Sequence, residues 1–312
     1  MKNEKIFITG GAGYLGRHVI KRFYENNEIT VFSRDEAKHY YLKKQFPKIK
    51  CIIGDIRNFE LLKKSMAGHT IGIFAASLKQ IEAVDQNVEE AVQIIVNGAL
   101  NSKKAAIENK LKAATFISSD KSRNATTLYG AMKFVGGEAF IVNAEKEVTK
   151  LSCVVYGNVI NSTGSIIPLI WDSVKNNYSL KLYGNEMTRF MIEVERAVDA
   201  IETALNFTGF TVIPVQKAHK VKDLFEIYEE KFGLKWEEGS PRISEKTHEQ
   251  TISPYETART TYNKEYNVYL IHYSNIFNEI QFSNKGLTSE DCLMTKDELK
   301  NYLEENNYFD PR

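Results

Sequence analysis

The chain has 312 residues, 43% of them hydrophobic, so it can bury a large core and lacks the composition of a disordered or fibrous protein. Its 41 lysine and arginine residues balance 40 aspartate and glutamate residues, which leaves no long-range field favouring nucleic acid or an anionic membrane surface. Apolar runs such as 71–76 are far shorter than the roughly 20 residues of a membrane-spanning helix, and we expect a cytoplasmic protein.

The first half of the chain alternates short β-branched runs with longer amphipathic stretches. Parallel strands need long crossover connections, which are usually helices. The longest crossover, at about 81–109, carries apolar residues at helical spacing and is predicted to be helical. The sequence therefore predicts an α/β fold with a doubly wound parallel sheet of the Rossmann type. Its predicted strands are KIFIT, EITVF, KCIIGD, IGIFAA, ATFISS and LSCVV.

The strand and helix alternation weakens after about residue 155, where Gly, Asn and Ser cluster. We predict a dinucleotide-binding Rossmann domain over 1–155 and a smaller substrate-binding lobe over 156–312. Residues 191–215, which include a predicted helix and the strand FTVIP, are expected to return to the first domain. The three cysteines are far apart in sequence, which predicts packing roles and neither a metal site nor a disulfide.

A glycine-rich loop follows the first predicted strand and leads directly into a helix. Gly10 permits the tight turn, Gly13 lets the backbone approach a pyrophosphate, and Gly16 allows close helix packing. The free amides at the helix start, where Tyr14 and Leu15 lie, would face the anion. The order of strand, loop and helix favours dinucleotide binding over an ordinary glycine-rich turn.

The end of the second predicted strand indicates which dinucleotide binds. Ser33 and Arg34 stand where an NAD-selective site usually places a carboxylate. A guanidinium can pair bidentately with a 2′-phosphate, and such charge-assisted bonds contribute about 1.5–3 kcal/mol, so NADP is predicted. Asp35 keeps NAD open, because a small shift of the strand end would aim its carboxylate at the ribose. The remaining residues expected along the cofactor are Lys38, Asp55, Ile56, Ala75, Ala76 and Lys79.

Polar side chains with catalytic potential follow the fifth predicted strand. Tyr129 and Lys133 are four residues apart and share one helix face. A nearby ammonium and a nicotinamide cation would favour the phenolate over its usual pKa of about 10, so Tyr129 is a candidate base for a sugar hydroxyl. Lys133 would also hold the nicotinamide ribose. The adjacent Asp120 and Lys121 could supply the acid and amine that elimination of water requires, or they could form a surface ion pair.

Nine segments, taken in order, resemble the polysaccharide-biosynthesis branch of the extended short-chain dehydrogenase/reductases. Within that branch, the resemblance is to the soluble UDP-N-acetylglucosamine 4,6-dehydratases, and it spans nearly the whole chain. The segments are TGGAGYLG at 9–16, SRDEAK at 33–38, GDIRN at 54–58, AASLKQ at 75–80, SSDKS with YGAMK, YGNVINSTGSIIP at 156–168, MTRF at 187–190 and PRISEKTHE at 241–249.

The resemblance implies a specific reaction. Lys121 would remove the proton on sugar carbon 5 after hydride has passed from carbon 4 to NADP, and Asp120 would protonate the departing 6-hydroxyl. Hydride would return to carbon 6, giving a 4-keto-6-deoxy sugar nucleotide. Membrane-anchored relatives often carry Met at the position of Tyr129, so the tyrosine points to the soluble type that inverts carbon 5. Family members are usually homo-oligomers.

The resemblance also implies substrate contacts and shows two departures. A solvated charged face is the alternative for the charged residues Arg189, Arg242 and Glu245. Where relatives commonly read RYGNV and GSRGS, this chain has Val155 and Thr163 in place of the two arginines. The residues implied to contact the UDP-sugar are Asn158, Arg189, Arg242 and Glu245, with Lys79 between cofactor and substrate.

Two other functions remain open from the sequence. A UDP-sugar 4-epimerase or 4-reductase would use the same glycine loop and Tyr129 but would not need both Asp120 and Lys121. A non-catalytic NADP-binding protein could tolerate the departures at Val155 and Thr163, although the four catalytic candidates are all present. A nucleic-acid-binding role has no basic stripe or motif to support it.

Overall fold

The computed structural model describes residues 1–240, 243–277 and 285–311 of the chain. The strands are β1 (Lys5–Thr9), β2 (Glu28–Ser33), β3 (Lys50–Ile53), β4 (Ile71–Phe74), β5 (Ala113–Ile117), β6 (Lys150–Val154), β7 (Asn158–Val159), β8 (Leu180–Leu182), β9 (Thr188–Ile192), β10 (Phe210–Pro214), β11 (Lys217–Lys220), β12 (Trp236–Glu238), β13 (Gln250–Ile252), β14 (Thr260–Asn263), β15 (Val268–His272) and β16 (Leu287–Thr288). The α-helices are α1 (Tyr14–Phe23), α2 (Glu36–Gln45), α3 (Phe59–Met66), α4 (Ile81–Gln86), α5 (Val88–Ala91), α6 (Gly98–Glu108), α7 (Leu128–Ile141), α8 (Ile166–Asn176), α9 (Val194–Ala204), α10 (Val221–Phe232) and α11 (Lys296–Glu305).

The main sheet has nine strands in the order β14-β15-β10-β6-β5-β4-β1-β2-β3. The strands from β3 to β10 pair in parallel, whereas β15 and β14 are antiparallel additions at the edge. The strand order reverses at β1, because β2 lies on one side of it and β4 on the other. This reversal opens the crevice in which doubly wound sheets bind ligands, and the predicted fold class is confirmed.

Apolar side chains cover both faces of the central strands. In β1, Ile6 and Ile8 pack on one face with residues of α1 and α9, and Phe7 packs on the other face with residues of α3, α6 and α7. Successive side chains of a strand point to opposite faces, so a strand covered by helices on both sides must be apolar throughout. The continuous apolar run of β1 therefore places the loop that follows it at the edge of a rigid core.

The long crossover predicted over about 81–109 is helical but not continuous. It contains α4, α5, a π-helical turn at 92–97 and α6. The break falls at Asn87, whose backbone leaves the helical region and whose side-chain amide donates to the Ala83 carbonyl at 2.9 Å. A side-chain amide that binds a carbonyl of the preceding turn ends that turn locally, which apolar periodicity alone does not reveal.

The C-terminal half contributes to both parts of the molecule. β10, β14 and β15 lie in the main sheet, whereas α8, α10 and α11 enclose a separate apolar cluster beside the three-stranded sheet β11-β9-β7. In the part of the chain that the structure describes, no helix is long and apolar enough to cross a membrane. Cys51, Cys153 and Cys292 are free thiols.

Candidate functional site

The glycine-rich loop between β1 and α1 has the backbone geometry that a dinucleotide requires. Gly10 has φ of +71°, and a Cβ there would lie 2.8 Å from the Ala76 nitrogen. A Cβ on Gly16 would overlap Gly11, so neither glycine position admits a side chain. Gly13 precedes α1 without a side-chain cap, which leaves the first amides of the helix available to an anion. The loop therefore fits a pyrophosphate.

Arg34 and Asp35, the two charged candidates for cofactor selectivity after β2, have different partners in the structure. Asp35 caps α2, because its carboxylate accepts the Lys38 backbone N–H at 2.9 Å and lies 2.9 Å from Lys38 Nζ. The hydrogen bond from the Lys38 backbone, with the Lys38 ammonium, lowers the pKa of Asp35. Arg34 is exposed and lies 3.8 Å from Asp55 Oδ2, while Ser33 Oγ lies 2.7 Å from His39 Nε2. Binding a ribose through Asp35 would thus compete with the helix cap.

A cavity of about 280 Å³ lies between the glycine loop and α2. Two cations line it, Lys38 and Arg17, and the second was not among the residues predicted from sequence. Its position immediately after Gly16, in the first turn of α1, is the local signal that could have identified it. Of the other predicted cofactor residues, Asp55 accepts two bonds from the Arg57 guanidinium, and Ile56 is buried in the core.

The loop after β7 contacts the cofactor side of the crevice at two points. The Tyr14 hydroxyl donates to the Ile160 carbonyl at 3.3 Å, and Lys79 Nζ donates to the carbonyl of Thr163. Burial lowers the pKa of Lys79. Thr163, at the position where the relatives' arginine was expected, therefore binds Lys79 through its main-chain carbonyl.

Asp120 and Lys121 form a largely buried pair, so the surface ion pair considered from sequence is wrong. They lie in a short 3₁₀ turn after β5, and Asp120 is only 1% exposed. Lys121 Nζ lies 3.5 Å from Asp120 Oδ1 and 3.2 Å from Glu249 Oε1. Burial raises the pKa of Asp120, against the opposing effect of Lys121. Burial alone would lower the pKa of Lys121, but the carboxylates of Asp120 and Glu249 raise it above its usual range.

Glu249 is a member of the site that sequence reasoning did not single out. It is 3% exposed, and although burial raises its pKa, the charges of Lys121, Arg189 and Lys246 hold the pKa below its usual value. Glu249 ends the segment PRISEKTHE, which carried part of the family resemblance. No local spacing connects it to Lys121, because the two residues are brought together only by the fold.

Tyr129 and Lys133 lie on α7, close to the 120–122 turn. A Cβ on Gly130 would overlap the Lys121 carbonyl, so this glycine lets α7 approach the turn closely. Burial raises the pKa of Tyr129 to about 12, and the Lys121 ammonium opposes the rise. Lys133 Nζ donates to the Ile117 carbonyl at 2.8 Å, and burial lowers its pKa to about 8. The cation favouring the phenolate here is Lys121, since Lys133 is directed to the end of β5.

Of the predicted substrate residues, Arg189 lies beside this cluster and Glu245 is paired with it. Arg189 is 8% exposed and donates to Glu245 Oε1 at 2.8 Å, so a solvated charged face is wrong for it. Asn158 lies in β7, opposite Met191 of β9. Arg242 lies outside the described residues. Val155 is fully buried, where the arginine of the relatives would need a charged partner.

Three comparisons relate the chain to known proteins. It matches the family described as polysaccharide biosynthesis proteins over residues 6–270. It is 32% identical to a UDP-glucose 4-epimerase of Rickettsia massiliae (strain Mtu5) over 281 residues, covering 85% of this chain and 82% of that protein. It is 34% identical to a UDP-N-acetylglucosamine 4,6-dehydratase (inverting) of Campylobacter jejuni over 241 residues, covering 72% and 71%. The X-ray structure of Pen from Bacillus thuringiensis is similar, with a TM-score of 0.86, 26% identity and coverage of 98% and 99%.

A buried histidine beside the site predicts acid sensitivity. His219 on β11 lies opposite Arg189 on β9, and within the described residues neither ring nitrogen has a hydrogen-bond partner. Burial, assisted by the Arg189 charge, lowers its pKa to about 4. In the unfolded chain the histidine ring binds a proton near pH 6.5. The contribution of neutral His219 to the free energy of unfolding is therefore complete above pH 6.5. It is lost as the pH falls towards 4, which lowers the free energy of unfolding by about 3 kcal/mol.

We therefore expect His219→Phe to flatten the pH dependence of the free energy of unfolding between pH 6.5 and 4. Urea denaturation across this range measures it. Val148→Ala, at a 91% exposed residue without a titratable group, is the control and should keep the wild-type slope. Equal slopes for His219→Phe and wild type would contradict the prediction.

Proposed function

Because the chain belongs to the polysaccharide biosynthesis protein family of extended short-chain dehydrogenase/reductases, we propose that it is a nucleotide-sugar 4,6-dehydratase. Its substrate is UDP-N-acetylglucosamine and its product a UDP-4-keto-6-deoxy-hexosamine inverted at carbon 5. The observation that carries the proposal is the buried Asp120 carboxyl, whose Oδ1 lies 3.5 Å from the Lys121 amine. An epimerase that works only at carbon 4 has no use for a second acid and base beside Tyr129.

Each catalytic residue has a distinct task in this reaction. A bound nicotinamide dinucleotide would accept hydride from carbon 4 and later return it to carbon 6. Tyr129 removes the proton of the 4-hydroxyl, and the resulting ketone acidifies the proton on carbon 5. Lys121 takes that proton, while Asp120 donates one to the 6-hydroxyl, which leaves as water. After hydride reaches carbon 6, carbon 5 gains a proton that has exchanged with solvent, and this completes the 4-keto-6-deoxy product. In the resting ion pair, Lys121 is an ammonium and Asp120 a carboxylate. One proton must move from Lys121 to Asp120 before Lys121 can act as the base and Asp120 as the acid.

The glycine loop and the cations near α2 are the residues that would hold NADP. Gly10, Gly13 and Gly16 shape the loop, and the exposed Arg34 is available to a 2′-phosphate while Asp35 caps α2. We expect Arg34→Ala to weaken NADPH binding at least about tenfold, because a charge-assisted bond contributes about 1.5–3 kcal/mol, and to leave NADH binding nearly unchanged.

Fluorescence titration of both reduced cofactors measures this selectivity. Arg22→Ala is the matched control, because Arg22 lies on α1 and pairs with Asp199 at 2.6 Å. An equal loss of NADPH and NADH binding in Arg34→Ala would show that Arg34 does not read the 2′-phosphate.

The reaction itself is tested by incubating the purified protein with UDP-N-acetylglucosamine in deuterated water and following the sugar by NMR. A 4-keto-6-deoxy product with deuterium at carbon 5 supports the dehydratase, and its ring couplings report inversion. A 4-epimer without deuterium at carbon 5 supports the second candidate, a UDP-sugar 4-epimerase, which the name of the Rickettsia relative favours. Cofactor binding without turnover of this sugar overturns the proposed substrate and favours either another sugar or a non-catalytic role.

We also propose that the chain forms a homo-oligomer through α7. Leu128 and Val135 lie seven residues apart on this helix and Val142 follows at its C-terminal cap; all three are exposed, as is Leu100 on the neighbouring α6. An apolar stripe at this spacing is typical of helix–helix contacts. We expect light scattering to give an oligomer for wild type and a smaller species for Val135→Glu. Val148→Glu, at a 91% exposed valine, is the matched control, and an unchanged mass for Val135→Glu contradicts this interface.

A further inference from the structure

Glu249 is held rigidly beside Lys121, yet the proposed reaction gives it no role. Its carboxylate oxygen Oε1 lies 3.2 Å from Lys121 Nζ. Its backbone is fixed by Ser289, because the Glu249 N–H donates to Ser289 Oγ at 3.0 Å and the Ser289 N–H donates to the Glu249 carbonyl at 2.8 Å. The next residue, Gln250, begins β13, which pairs with β16. The carboxylate is therefore part of a preformed site.

The charges that face Lys121 come from several elements. Asp120 and Glu249 flank its ammonium at 3.5 and 3.2 Å, and the Tyr129 phenol lies close enough for the Lys121 charge to act on it. Arg189 acts on Lys121 with the opposite sign. A further cation, Lys246, lies 3.4 Å from Glu249 Oε2 and so neutralises part of the Glu249 charge. Lys121 is thus a cation between two carboxylates, each of them less than 5% exposed.

We infer that Glu249 is a positioning residue for Lys121: its carboxylate holds the amine beside Asp120 and stabilises the positive charge of that amine. The role of the Lys121 amine as the carbon 5 base rests on the proposed function. The pairing of Lys121 with Glu249 rests on the contact geometry alone. When one proton passes from Lys121 Nζ to Asp120, the two charges disappear together. Asp120 then no longer attracts the amine, and Glu249 remains as the carboxylate that accepts its N–H.

Glu249 also favours the next step. When neutral Lys121 takes the carbon 5 proton through its nitrogen lone pair, the C–H electron pair stays on the sugar and an ammonium forms. The fixed negative charge of Glu249 stabilises that ammonium as it forms, without reorganisation of water. Removing this charge should make Lys121 a weaker base that titrates at lower pH.

The pairing can be tested without turnover. In protein labelled with ¹³C at the lysine ε-carbon, the Lys121 signal is assigned by its loss in Lys121→Arg and followed with pH. Glu249→Gln keeps the side-chain size but removes the charge, and we expect titration about one to three pH units lower than in wild type. Glu304→Gln breaks the exposed Lys231–Glu304 pair of 3.0 Å and should leave the Lys121 curve unchanged. Superimposable curves for wild type and Glu249→Gln overturn the inference.

A second variant and a second readout complete the test. Glu249→Asp keeps the charge on a shorter arm, so a smaller downward shift is expected; if Glu249→Gln does not fold, absence of any shift in Glu249→Asp overturns the inference. In the dehydratase assay, the alkaline limb of kcat, where the Lys121–Asp120 pair loses its proton to solvent, should move to lower pH in Glu249→Gln, with kcat reduced and KM nearly unchanged. A wild type that places no deuterium at carbon 5 overturns the proposed function, while the NMR titration still decides the pairing.

Discussion

Replacing Lys121 with arginine should abolish dehydration and carbon 5 exchange while the protein stays folded and binds its cofactor. Arginine keeps the positive charge between Asp120 and Glu249, whose oxygens lie 3.5 and 3.2 Å from the amine in wild type. A guanidinium cannot lose its proton near neutral pH, so it cannot remove the carbon 5 proton. Loss of a positioned general base typically costs about 10²–10⁴-fold in rate, and we expect a loss of that size in kcat.

The assay is NMR detection of deuterium at carbon 5 and of the 4-keto-6-deoxy product. Lys231→Arg is the control, because Lys231 forms an exposed pair with Glu304 at 3.0 Å and is outside the site. Lys121→Met is a harsher variant, since it leaves two buried carboxylates without their cation, and removing one partner of a buried pair costs about 3–5 kcal/mol of stability. An epimerase would keep its 4-epimerisation rate in Lys121→Arg, and that result would exclude the dehydratase.

The parts of the fold and site that could be predicted from sequence are those encoded by neighbouring residues. The glycine loop, with Gly10 and Gly16 at positions that exclude a side chain, follows β1 directly. Asp120, Lys121 and Tyr129 likewise lie within one short stretch after β5. In each case one element and the turn after it determine the geometry, so period and spacing carry enough information.

The residues that could not be predicted depend on contacts between distant segments. Glu249 reaches Lys121 only because β13 and the 120–122 turn pack together. Helical spacing predicted that Lys133 would favour the Tyr129 phenolate, but the cation that lowers the pKa of Tyr129 is Lys121. Lys133 instead donates to the Ile117 carbonyl at the end of β5. Spacing of i and i+4 brings two side chains to one helix face but does not determine where each terminal group points.

The two departures from the relatives also have a structural reading. Val155 is fully buried, and its N–H donates to the Val212 carbonyl at 3.0 Å, so an apolar side chain suits this position. At the other position, the Thr163 carbonyl accepts from Lys79. Lys79 belongs to the AASLKQ segment that carries the resemblance, so it does not replace the missing arginine. Neither departure alters Asp120, Lys121 or Tyr129.

Replacing Tyr129 with phenylalanine should block the first step of the reaction and spare the second. The ring is 6% exposed and burial raises its pKa to about 12, so phenylalanine keeps the packing and removes only the hydroxyl that accepts the 4-hydroxyl proton. The phenolate is the base form, so wild-type kcat should rise with pH and level off above the pKa of Tyr129. A bound nicotinamide cation would lower that pKa and so bring the plateau to lower pH. We expect kcat in Tyr129→Phe to fall by about 10²–10⁴-fold and to lose this limb.

A substrate already oxidised at carbon 4 separates the roles of Tyr129 and Lys121. With a UDP-4-keto sugar, Tyr129→Phe should still exchange the carbon 5 proton with deuterated water, because Lys121 and Asp120 are intact and the carbonyl already acidifies that proton. Lys121→Arg should fail with this substrate as it does with the parent sugar. Tyr255→Phe, at an 89% exposed tyrosine, is the control and should match wild type in both assays. If Tyr129→Phe loses exchange at carbon 5 with the ketone as well, the tyrosine acts in the elimination itself, and the division of labour between the two residues is wrong.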